Sequence, residues 1–138
     1  MIYTMMQVCN KTNMTYQALK FYCNEGLVPN VKRDKNNRRV FDERDVAWIS
    51  NLTCLKKCGM SIQEMKEYMQ LCLQGEPTIP QRKQLLAVKK EQLRQSIKEL
   101  EDSIAYIDWK QSFYDDVLSG KRQYESNLIF TDEKIETS

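Results

Sequence analysis

The feature that most constrains this chain is a seven-residue repeat of apolar side chains between residues 86 and 114. Spacings of four and three residues alternate, and only Lys90 and Gln111 interrupt the pattern. Charged residues occupy most of the remaining surface of such a helix, so one narrow apolar stripe faces water, as is typical of a coiled coil. The stripe consists of Leu86, Leu93, Ile97, Leu100, Ile104, Ile107 and Tyr114, here called the seam.

No second heptad run in the sequence is available to cover the seam. The same helix of another copy is the simplest partner, so the repeat predicts a two-fold homodimer. The alternative is a long helix that packs on its own domain.

Positive charge is concentrated at the amino-terminal end of the 138-residue chain. Residues 1–41 carry seven Lys or Arg against Glu25 and Asp34, a net +5, whereas residues 42–138 carry fourteen against seventeen, a net −3. The amino-terminal part is therefore the candidate surface for a polyanion. No apolar run approaches the roughly 20 residues of a membrane span, and no signal-peptide core follows Met6, so we expect a cytoplasmic protein without a membrane partner.

The cysteine and histidine content argues against most catalytic and metal chemistry. Five cysteines form an odd count without a CxxC pair, which favours a reducing compartment over a disulfide framework. The chain has no histidine, the commonest general base and metal ligand, and it contains no GxSxG, P-loop or GxGxxG motif. The sequence therefore predicts neither an enzyme nor a cofactor or metal.

Start and stop signals divide the chain into helices. Thr4 with Gln7 and Ser61 with Glu64 are capping boxes, and Asp42 can cap a helix that carries Asp45 in its first turn. Each glycine follows a helical pattern, and Pro80 can open the last helix because its missing N–H is not needed there. The predicted helices are 5–11, 16–25, 43–58, 62–73 and 80–118.

The first two helices have the spacing of a helix-turn-helix, with Asn13 able to take the left-handed conformation of the turn. In the second helix Leu19, Tyr22 and Cys23 share the inward face. The polar side chains of Tyr16, Gln17, Lys20 and Asn24 project together from the other face. Hydrogen-bonding side chains near a helix amino terminus are what reading a major groove requires. The alternative is an ordinary solvated face.

A basic segment follows at residues 29–41. Val31, Val40 and Phe41 flank the turn-rich centre at 34–37, which predicts a β-hairpin. Cations crowded on a hairpin can each meet a phosphate and release counterions, so this hairpin is predicted to be a DNA-binding wing; the alternative is a soluble loop. The cations are Lys32, Arg33, Lys35, Arg38 and Arg39.

From Thr4 to about Gly120 the order of these parts resembles the MerR family of bacterial transcription regulators. The resemblance is carried by TMMQVCNKT (4–12), ALKFY (18–22), EGL (25–27), Arg39 and Phe41 before Asp42 and DV (45–46), and GMSI (59–62) with Glu64 and Lys66. Within the family, DVAWI (45–49), CLKKCGM (54–60) and TIPQR (78–82) look like the AdhR/NmlR branch, which answers reactive aldehydes and related electrophiles.

The resemblance implies a mainly α fold. It implies a winged helix-turn-helix head with a small β-hairpin wing and two accessory helices at 1–75, a linker at 76–79, a dimerisation helix at 80–118 that forms an antiparallel coiled coil, and a tail at 119–138. It also implies a homodimer that binds an inverted repeat in the promoter spacer of double-stranded DNA and distorts it, so that RNA polymerase can engage both promoter elements. The implied DNA contacts are Thr15, Tyr16, Gln17, Lys20, Phe21, Tyr22, Lys32, Arg33, Lys35, Arg38 and Arg39.

Some residues depart from the family pattern. Ala18 stands where the family usually has Thr, Lys20 where it has Arg, Phe21 where it has Tyr, and NR at 37–38 where it has Gly-Tyr. A lysine neutralises a phosphate but cannot make the planar bidentate contact of an arginine, so operator preference does not transfer.

Cys54 is the candidate sensor thiol. On a wheel of helix 43–58, Trp48, Ile49, Leu52 and Leu55 form the main buried stripe, and Ala47, Asn51, Cys54 and Cys58 lie nearly opposite. Neighbouring lysines at 56 and 57 favour a thiolate, which attack on an electrophile needs, and the branch resemblance adds weight. The alternatives are a packed core cysteine, and a soft-metal site with Cys58 and Cys72; family metal sensors, however, place ligating cysteines beyond the long helix.

Two functions of different classes follow from these observations. The first is a DNA-binding transcription regulator of a stress response, and the second is a coiled-coil adaptor whose basic head binds a protein or RNA.

Overall fold

The order of helices and strands follows the local signals in the sequence. The computed structural model describes residues 1–131, and each predicted helix matches an observed one to within one residue at either end. The mainly α fold with a small wing and a long carboxy-terminal helix is confirmed. The elements are β1 (Tyr3–Thr4), α1 (Met5–Thr12), α2 (Tyr16–Asn24), β2 (Lys32–Arg33), β3 (Arg39–Phe41), α3 (Glu43–Lys57), α4 (Ile62–Leu73), a 3-10 turn (Glu76–Thr78) and α5 (Ile79–Leu118).

The predicted tail at 119–138 is described only in part. Residues 132–138, which include the apolar Ile135, lie outside the described residues. Within residues 1–131, no helix combines the length and apolar character needed to cross a membrane.

Helix starts are fixed by side chains that satisfy the free backbone N–H groups of the first turn. The predicted capping boxes at Thr4 and Ser61 are present, and the predicted cap Asp42 also forms a capping box. In each, the backbone N–H of the cap donates to the side chain of the third helical residue. Asn13 closes α1 with φ of 57°, the left-handed conformation predicted for the turn. The helix-turn-helix therefore forms from contacts that span only a few residues.

The sheet contains one strand that the sequence did not predict. The strand order is β1-β3-β2 with antiparallel pairing, and the register places Tyr3 opposite Phe41 and Lys32 opposite Val40. Tyr3 also donates its hydroxyl hydrogen to Glu43 at the start of α3. These contacts join the wing to the chain segment that leads into α1.

The core of the first compact unit, residues 1–93, lies among α1, α2, α3, α4 and the wing. Its fully buried side chains include Val8, Leu19, Phe41, Ile49 and Leu52. The predicted buried stripe of α3 is confirmed, and its half-buried Trp48 donates its indole N–H to the carbonyl oxygen of Leu27 at 2.7 Å. This bond ties α3 to the loop that precedes the wing.

The first turns of α5 belong to the same unit. Leu85 packs against the core, and Lys89 Nζ lies 3.1 Å from a carboxylate oxygen of Glu64 on α4. Residues 94–138 form a second unit, in which the described residues comprise the rest of α5 and the segment after it. Phe113 is the one buried side chain among the described residues of this unit.

Candidate nucleic-acid interface

The amino-terminal end of α2 presents several of the predicted DNA contacts to solvent. Thr15 caps the helix, because its hydroxyl oxygen accepts a hydrogen bond from the backbone N–H of Ala18 at 3.1 Å. This start orients the helix so that Tyr16, Gln17, Lys20 and Phe21 are exposed. Polar tips and an aromatic ring therefore project from one short segment next to the turn.

Tyr22 is a correction to the predicted contact set. Its side chain is only 3% exposed and belongs to the core cluster that contains Leu19. Burial raises the pKa of its hydroxyl, which keeps the group neutral. The ring lies 6.3 Å from the exposed ring of Phe21, measured between centroids, so Tyr22 supports that neighbour and does not itself face solvent.

The turn at the tip of the wing is held by one carboxylate. Asp34 accepts hydrogen bonds from the backbone N–H groups of Asn36 at 2.9 Å and Arg38 at 3.0 Å. The backbone N–H of Asp34 also donates to the carbonyl oxygen of Arg38 at 2.9 Å, and Asn37 takes a left-handed conformation with φ of 61°. Asparagine tolerates this conformation better than most residues, which explains how it replaces the usual glycine. The wing tip is therefore a defined turn.

Lys32 is the wing cation most engaged within the chain. Its ammonium lies 2.9 Å from the carbonyl oxygen of Asn30, 3.0 Å from Asp42 Oδ2 and 3.4 Å from Asp45 Oδ2. An ammonium has three N–H donors, so these three acceptors account for all of them. Lys32 therefore connects the wing to the start of α3.

The pKa shifts of Asp42 and Lys32 both reflect the hydrogen bond between these two residues. Hydrogen bonds from the backbone N–H of Asp45 and then from Lys32 lower the pKa of Asp42 to about 2. The hydrogen bond to Asp42 raises the pKa of Lys32. Both groups are charged at neutral pH, so the ion pair between wing and helix is maintained there.

The guanidinium groups of the wing are only partly engaged. Arg33 donates from Nη1 to the carbonyl oxygen of Asn37 at 2.9 Å, and Arg39 donates from Nη2 to Asn24 Oδ1 at 2.6 Å. A guanidinium has five N–H donors, so each arginine keeps donors for another acceptor. Both side chains have a defined position and spare capacity for a phosphate.

Lys20, Lys35 and Arg38 are the unengaged cations of this surface. Within residues 1–131 their side chains make no hydrogen bond or ion pair, and all three are exposed. A cation without a partner breaks no hydrogen bond or ion pair within the chain when it binds a phosphate. These three residues are therefore the strongest candidates for backbone contacts.

A groove of about 500 Å³ separates the wing from the amino-terminal ends of α1 and α2. It is lined from the wing by Arg33, Arg38 and Arg39 and from the helices by Met6 and Tyr16, among others. The cationic side of the groove thus faces the exposed aromatic of α2. All of these residues belong to the first compact unit.

The seam remains exposed in the single chain. All seven predicted interface side chains, from Leu86 to Tyr114, are between 38% and 65% exposed. Few soluble proteins leave an apolar stripe of this length in water, so this surface is suited to a partner.

The small-residue stripe of α3 is also open. Ala47, Asn51 and Cys54 are exposed, and Cys58 is half-buried. Cys54 is therefore not a core residue of the single chain, contrary to the alternative considered from the sequence. Among residues 1–131, no three or more His, Cys, Asp or Glu side chains are grouped closely enough to hold a metal ion.

Sequence reasoning missed the residues that hold the wing in place. Asp45 is only 3% exposed, and both it and Asn24 act on wing cations that are distant in sequence. Asp45 was recognised as part of a cap, but nothing in the local pattern links a cap to a lysine thirteen residues earlier. Such pairing depends on the tertiary fold.

Comparisons with known proteins agree with this geometry. The family profile described as MerR HTH family regulatory protein matches residues 3–72, and a second profile, described as MerR, DNA binding, matches residues 46–109. The first match includes α2 and the wing, and the second includes most of α3, all of α4 and the first part of the seam.

Individual proteins are also similar to this chain in sequence or in structure. An uncharacterised HTH-type transcriptional regulator of Haemophilus influenzae is 34% identical over 114 residues, which cover 83% of this chain and 84% of the relative. The regulator AdhR of Bacillus subtilis is 36% identical over 87 residues, which cover 63% of this chain and 62% of AdhR. The crystal structure of HiNmlR, a MerR family regulator lacking the sensor domain and bound to promoter DNA, is similar with a TM-score of 0.71, 33% identity, and coverage of 86% of this chain and 90% of that one.

Proposed function

Because the chain belongs to the MerR family of helix-turn-helix regulators, we propose that it works as a homodimer that binds an inverted repeat in a promoter spacer and distorts the DNA. The chain is a DNA-binding transcriptional regulator and not an enzyme, as its family and relatives show. Its place of action is then the cytoplasm, in association with the nucleoid.

The observation that carries the proposal is the exposed face of α2 beside a partly unengaged basic wing. Tyr16, Gln17 and Lys20 are exposed within one turn of the helix, where they suit the edges of bases in a major groove. Lys35 and Arg38 at the wing tip are suited to the flanking phosphates. We therefore assign base reading to α2 and phosphate binding to the wing.

We sort the proposed DNA contacts by the number of hydrogen-bond donors that each side chain still has free. Thr15 and Phe21 flank the polar tips of α2 and complete that surface. Arg33 and Arg39 keep unused donors and stay in the set, whereas the three donors of Lys32 are engaged and make it a positioning residue. The proposed contacts are Thr15, Tyr16, Gln17, Lys20, Phe21, Arg33, Lys35, Arg38 and Arg39.

Dimerisation is proposed through the exposed seam of α5. Burying a fully exposed Leu or Ile side chain stabilises an assembly by about 1.5–3 kcal/mol, and each copy offers several half-exposed ones. A two-fold antiparallel coiled coil covers the seam of both copies at once. It also gives the dimer the symmetry that an inverted repeat requires.

DNA distortion requires strong backbone contacts. Bending or untwisting a site costs on the order of several kcal/mol, which additional phosphate contacts must offset. Two wings with free cations provide such contacts in pairs. In the proposed mechanism the distorted spacer aligns both promoter elements for RNA polymerase.

Cys54 is the proposed sensor of reactive aldehydes and related electrophiles. The thiol lies on the exposed side of α3, so a small electrophile can reach it in the free chain. The stripe of α3 that carries Cys54 faces away from the core. In the proposed dimer a second chain contacts this stripe, so modification of Cys54 would alter that contact. The alternative is a regulator of the same family with a non-thiol ligand or with none.

The proposal is tested by fluorescence anisotropy with a duplex from the upstream region of the gene, next to a duplex in which one half-site is scrambled. We expect specific binding to the intact repeat, with an affinity that falls steeply as salt increases. Analytical ultracentrifugation at micromolar concentration should show a dimer. A monomer that binds both duplexes equally would contradict the proposal and favour the adaptor with a basic head.

A further inference from the structure

A second apolar stripe on α5 is not explained by dimerisation. Tyr106, Trp109 and Phe113 follow one another at spacings of three and four residues, which places them along one side of the helix. At 3.6 residues per turn, Trp109 lies about 200° around the helix from Ile107 of the seam. A coiled coil through the seam therefore gives these aromatic side chains no role.

The aromatic side chains of this region form a continuous cluster. The ring centroids of Tyr106 and Trp109 lie 6.1 Å apart, and those of Trp109 and Phe113 also lie 6.1 Å apart, with the latter two planes inclined by only 22°. Tyr114 meets Phe113 edge-on at 5.6 Å. Such distances are those of favourable aromatic pairs. The cluster offers flat ring surfaces over more than one turn of helix.

The segment after α5 turns back toward this cluster. Gly120 has φ of 83°, and the backbone N–H groups of Lys121 and Arg122 donate to the carbonyl oxygen of Asp116 at 2.9 Å and 3.2 Å. The turn brings the guanidinium carbon of Arg122 to 4.9 Å from the ring centroid of Phe113. Phe113 is only 8% exposed as part of this arrangement.

A cavity of about 480 Å³ lies between the helix and the returning segment. Its lining combines Trp109, Phe113 and Tyr114 of the aromatic cluster with two cations, Lys110 and Arg122, and with Glu125 as its one carboxylate. Lys110 Nζ lies 5.6 Å from the ring centroid of Trp109 and 5.7 Å from that of Tyr114. Within residues 1–131 neither cation has an ion pair. The cavity is therefore aromatic, net positive and of a size usual for small-molecule sites.

We propose that this cavity binds a small aromatic carboxylate. The aromatic ring of the ligand would pack against the exposed ring of Trp109, which is itself stacked on Phe113, and its carboxylate would meet Lys110 and Arg122. An arginine suits this role because its donors match the two oxygens of a carboxylate. A neutral aromatic lacks the ionic contact, and an aliphatic anion lacks the ring contact. The inference depends on residues 109–128, of which Tyr114 also belongs to the seam, and it holds whether or not the chain binds DNA.

The test uses the full chain labelled with ¹⁵N and titrated with benzoate. The chain has two tryptophans, so NMR shows two indole N–H signals, and Trp109→Phe identifies the one at the cavity. We expect benzoate to shift the Trp109 signal saturably and to leave that of Trp48 unchanged. Loss of one charged hydrogen bond weakens binding about tenfold or more, so benzyl alcohol should bind at least that much more weakly. Cyclohexanecarboxylate, whose ring is saturated and not aromatic, should also bind more weakly than benzoate.

Matched variants assign the two cations. Lys110→Met and Arg122→Met should each weaken benzoate binding about tenfold. Lys121→Met makes the same change of charge next to Arg122, outside the cavity lining, and should bind as the wild type does. Arg122→Lys keeps the positive charge but loses the planar pair of donors, so its affinity should lie between those of the wild type and Arg122→Met, which separates a lost ionic contact from a misfolded segment.

Three results would overturn the proposal. Equal affinities for benzoate and benzyl alcohol would identify an apolar groove without anion selectivity. Equal weakening of benzoate binding by Lys121→Met and Arg122→Met would show that the overall charge of the segment, and not a contact in the cavity, determines the affinity. The absence of any saturable shift of the Trp109 signal would show that the cavity does not take this class of ligand.

Discussion

The division of the wing cations into engaged and unengaged groups can be tested through the salt dependence of DNA binding. Each phosphate contact contributes about 0.9 to the slope of log affinity against log salt. Replacing one contacting cation in both copies of a dimer removes two contacts, so Arg38→Met and Lys35→Met should each reduce the slope by about 1.8. Lys32→Met should leave the slope unchanged, because the ammonium of Lys32 already has three acceptors in the chain.

The expected differences are large enough to measure by fluorescence anisotropy on the promoter duplex. A change of about 1.8 in slope alters the loss of affinity between about 50 and about 200 mM salt by roughly tenfold. Lys32→Met should still bind more weakly than the wild type, because the wing loses its connection to Asp42 and Asp45. Arg38→Lys preserves the charge and should preserve the slope, which makes it the matched control.

Two outcomes would refute this reasoning. If Lys32→Met lowers the slope as much as Arg38→Met does, an ammonium with three acceptors in the free chain can still reach a phosphate. If neither Lys35→Met nor Arg38→Met changes the slope, the wing tip does not contact DNA, and the unengaged cations serve only solubility.

Four further predictions concern assembly, sensing and stability. Leu100→Lys places a charge in the seam and should give monomers in sedimentation equilibrium, whereas Asp102→Lys on the face opposite the seam should leave the dimer intact. Cys54→Ser should abolish the response of promoter activity to added aldehyde while DNA affinity is kept, and an unchanged response would remove Cys54 from the mechanism. Asp42→Asn should lower the free energy of unfolding above the ordinary carboxyl pKa of 3.8, and in urea titrations its difference from the wild type should disappear as the pH falls through about 2, because only the ionised wild-type carboxylate stabilises the fold. Leu52→Ala, at a fully buried position, should lower the free energy of unfolding by about 2–5 kcal/mol, measured by chemical denaturation.

The helices could be predicted because their boundaries depend on short-range chemistry. A cap such as Ser61 acts on an N–H only three residues away, and the turn at Asn13 depends on the backbone preference of one residue. The same holds for the main stripe of α3, whose period identifies its buried side. These features are written in the sequence within one or two turns of helix.

Features that depend on distant contacts could not be predicted. β1 is only two residues long, and it pairs with β3, almost forty positions later, so its sequence carries no alternation to detect. The assignment of Tyr22 to a DNA-contacting surface was wrong for a different reason: it followed the family motif, although the wheel position of Tyr22 beside Leu19 already placed it on the inward face, where the structure buries it. A motif marks residues that matter without showing whether they contact DNA or support those that do.

The wing illustrates how charge in a sequence and charge available for binding differ. Counting cations gives five in eight residues, but Lys32 is fully engaged, and Arg33 and Arg39 are partly engaged. The fully unengaged pair, Lys35 and Arg38, flanks the turn in which Asn37 takes the left-handed conformation.

Arg38 gives this arrangement a consequence for DNA binding. It stands where the family resemblance leads one to expect a tyrosine, so this chain adds one free cation to each wing tip. Because the work of distorting DNA must be offset by contacts with its backbone, an additional phosphate contact in each copy of the proposed dimer would increase the deformation that it can maintain. We therefore expect the departure from the family pattern at the wing tip to strengthen binding to the DNA backbone in the proposed complex, in which base reading is assigned to the exposed tips of α2.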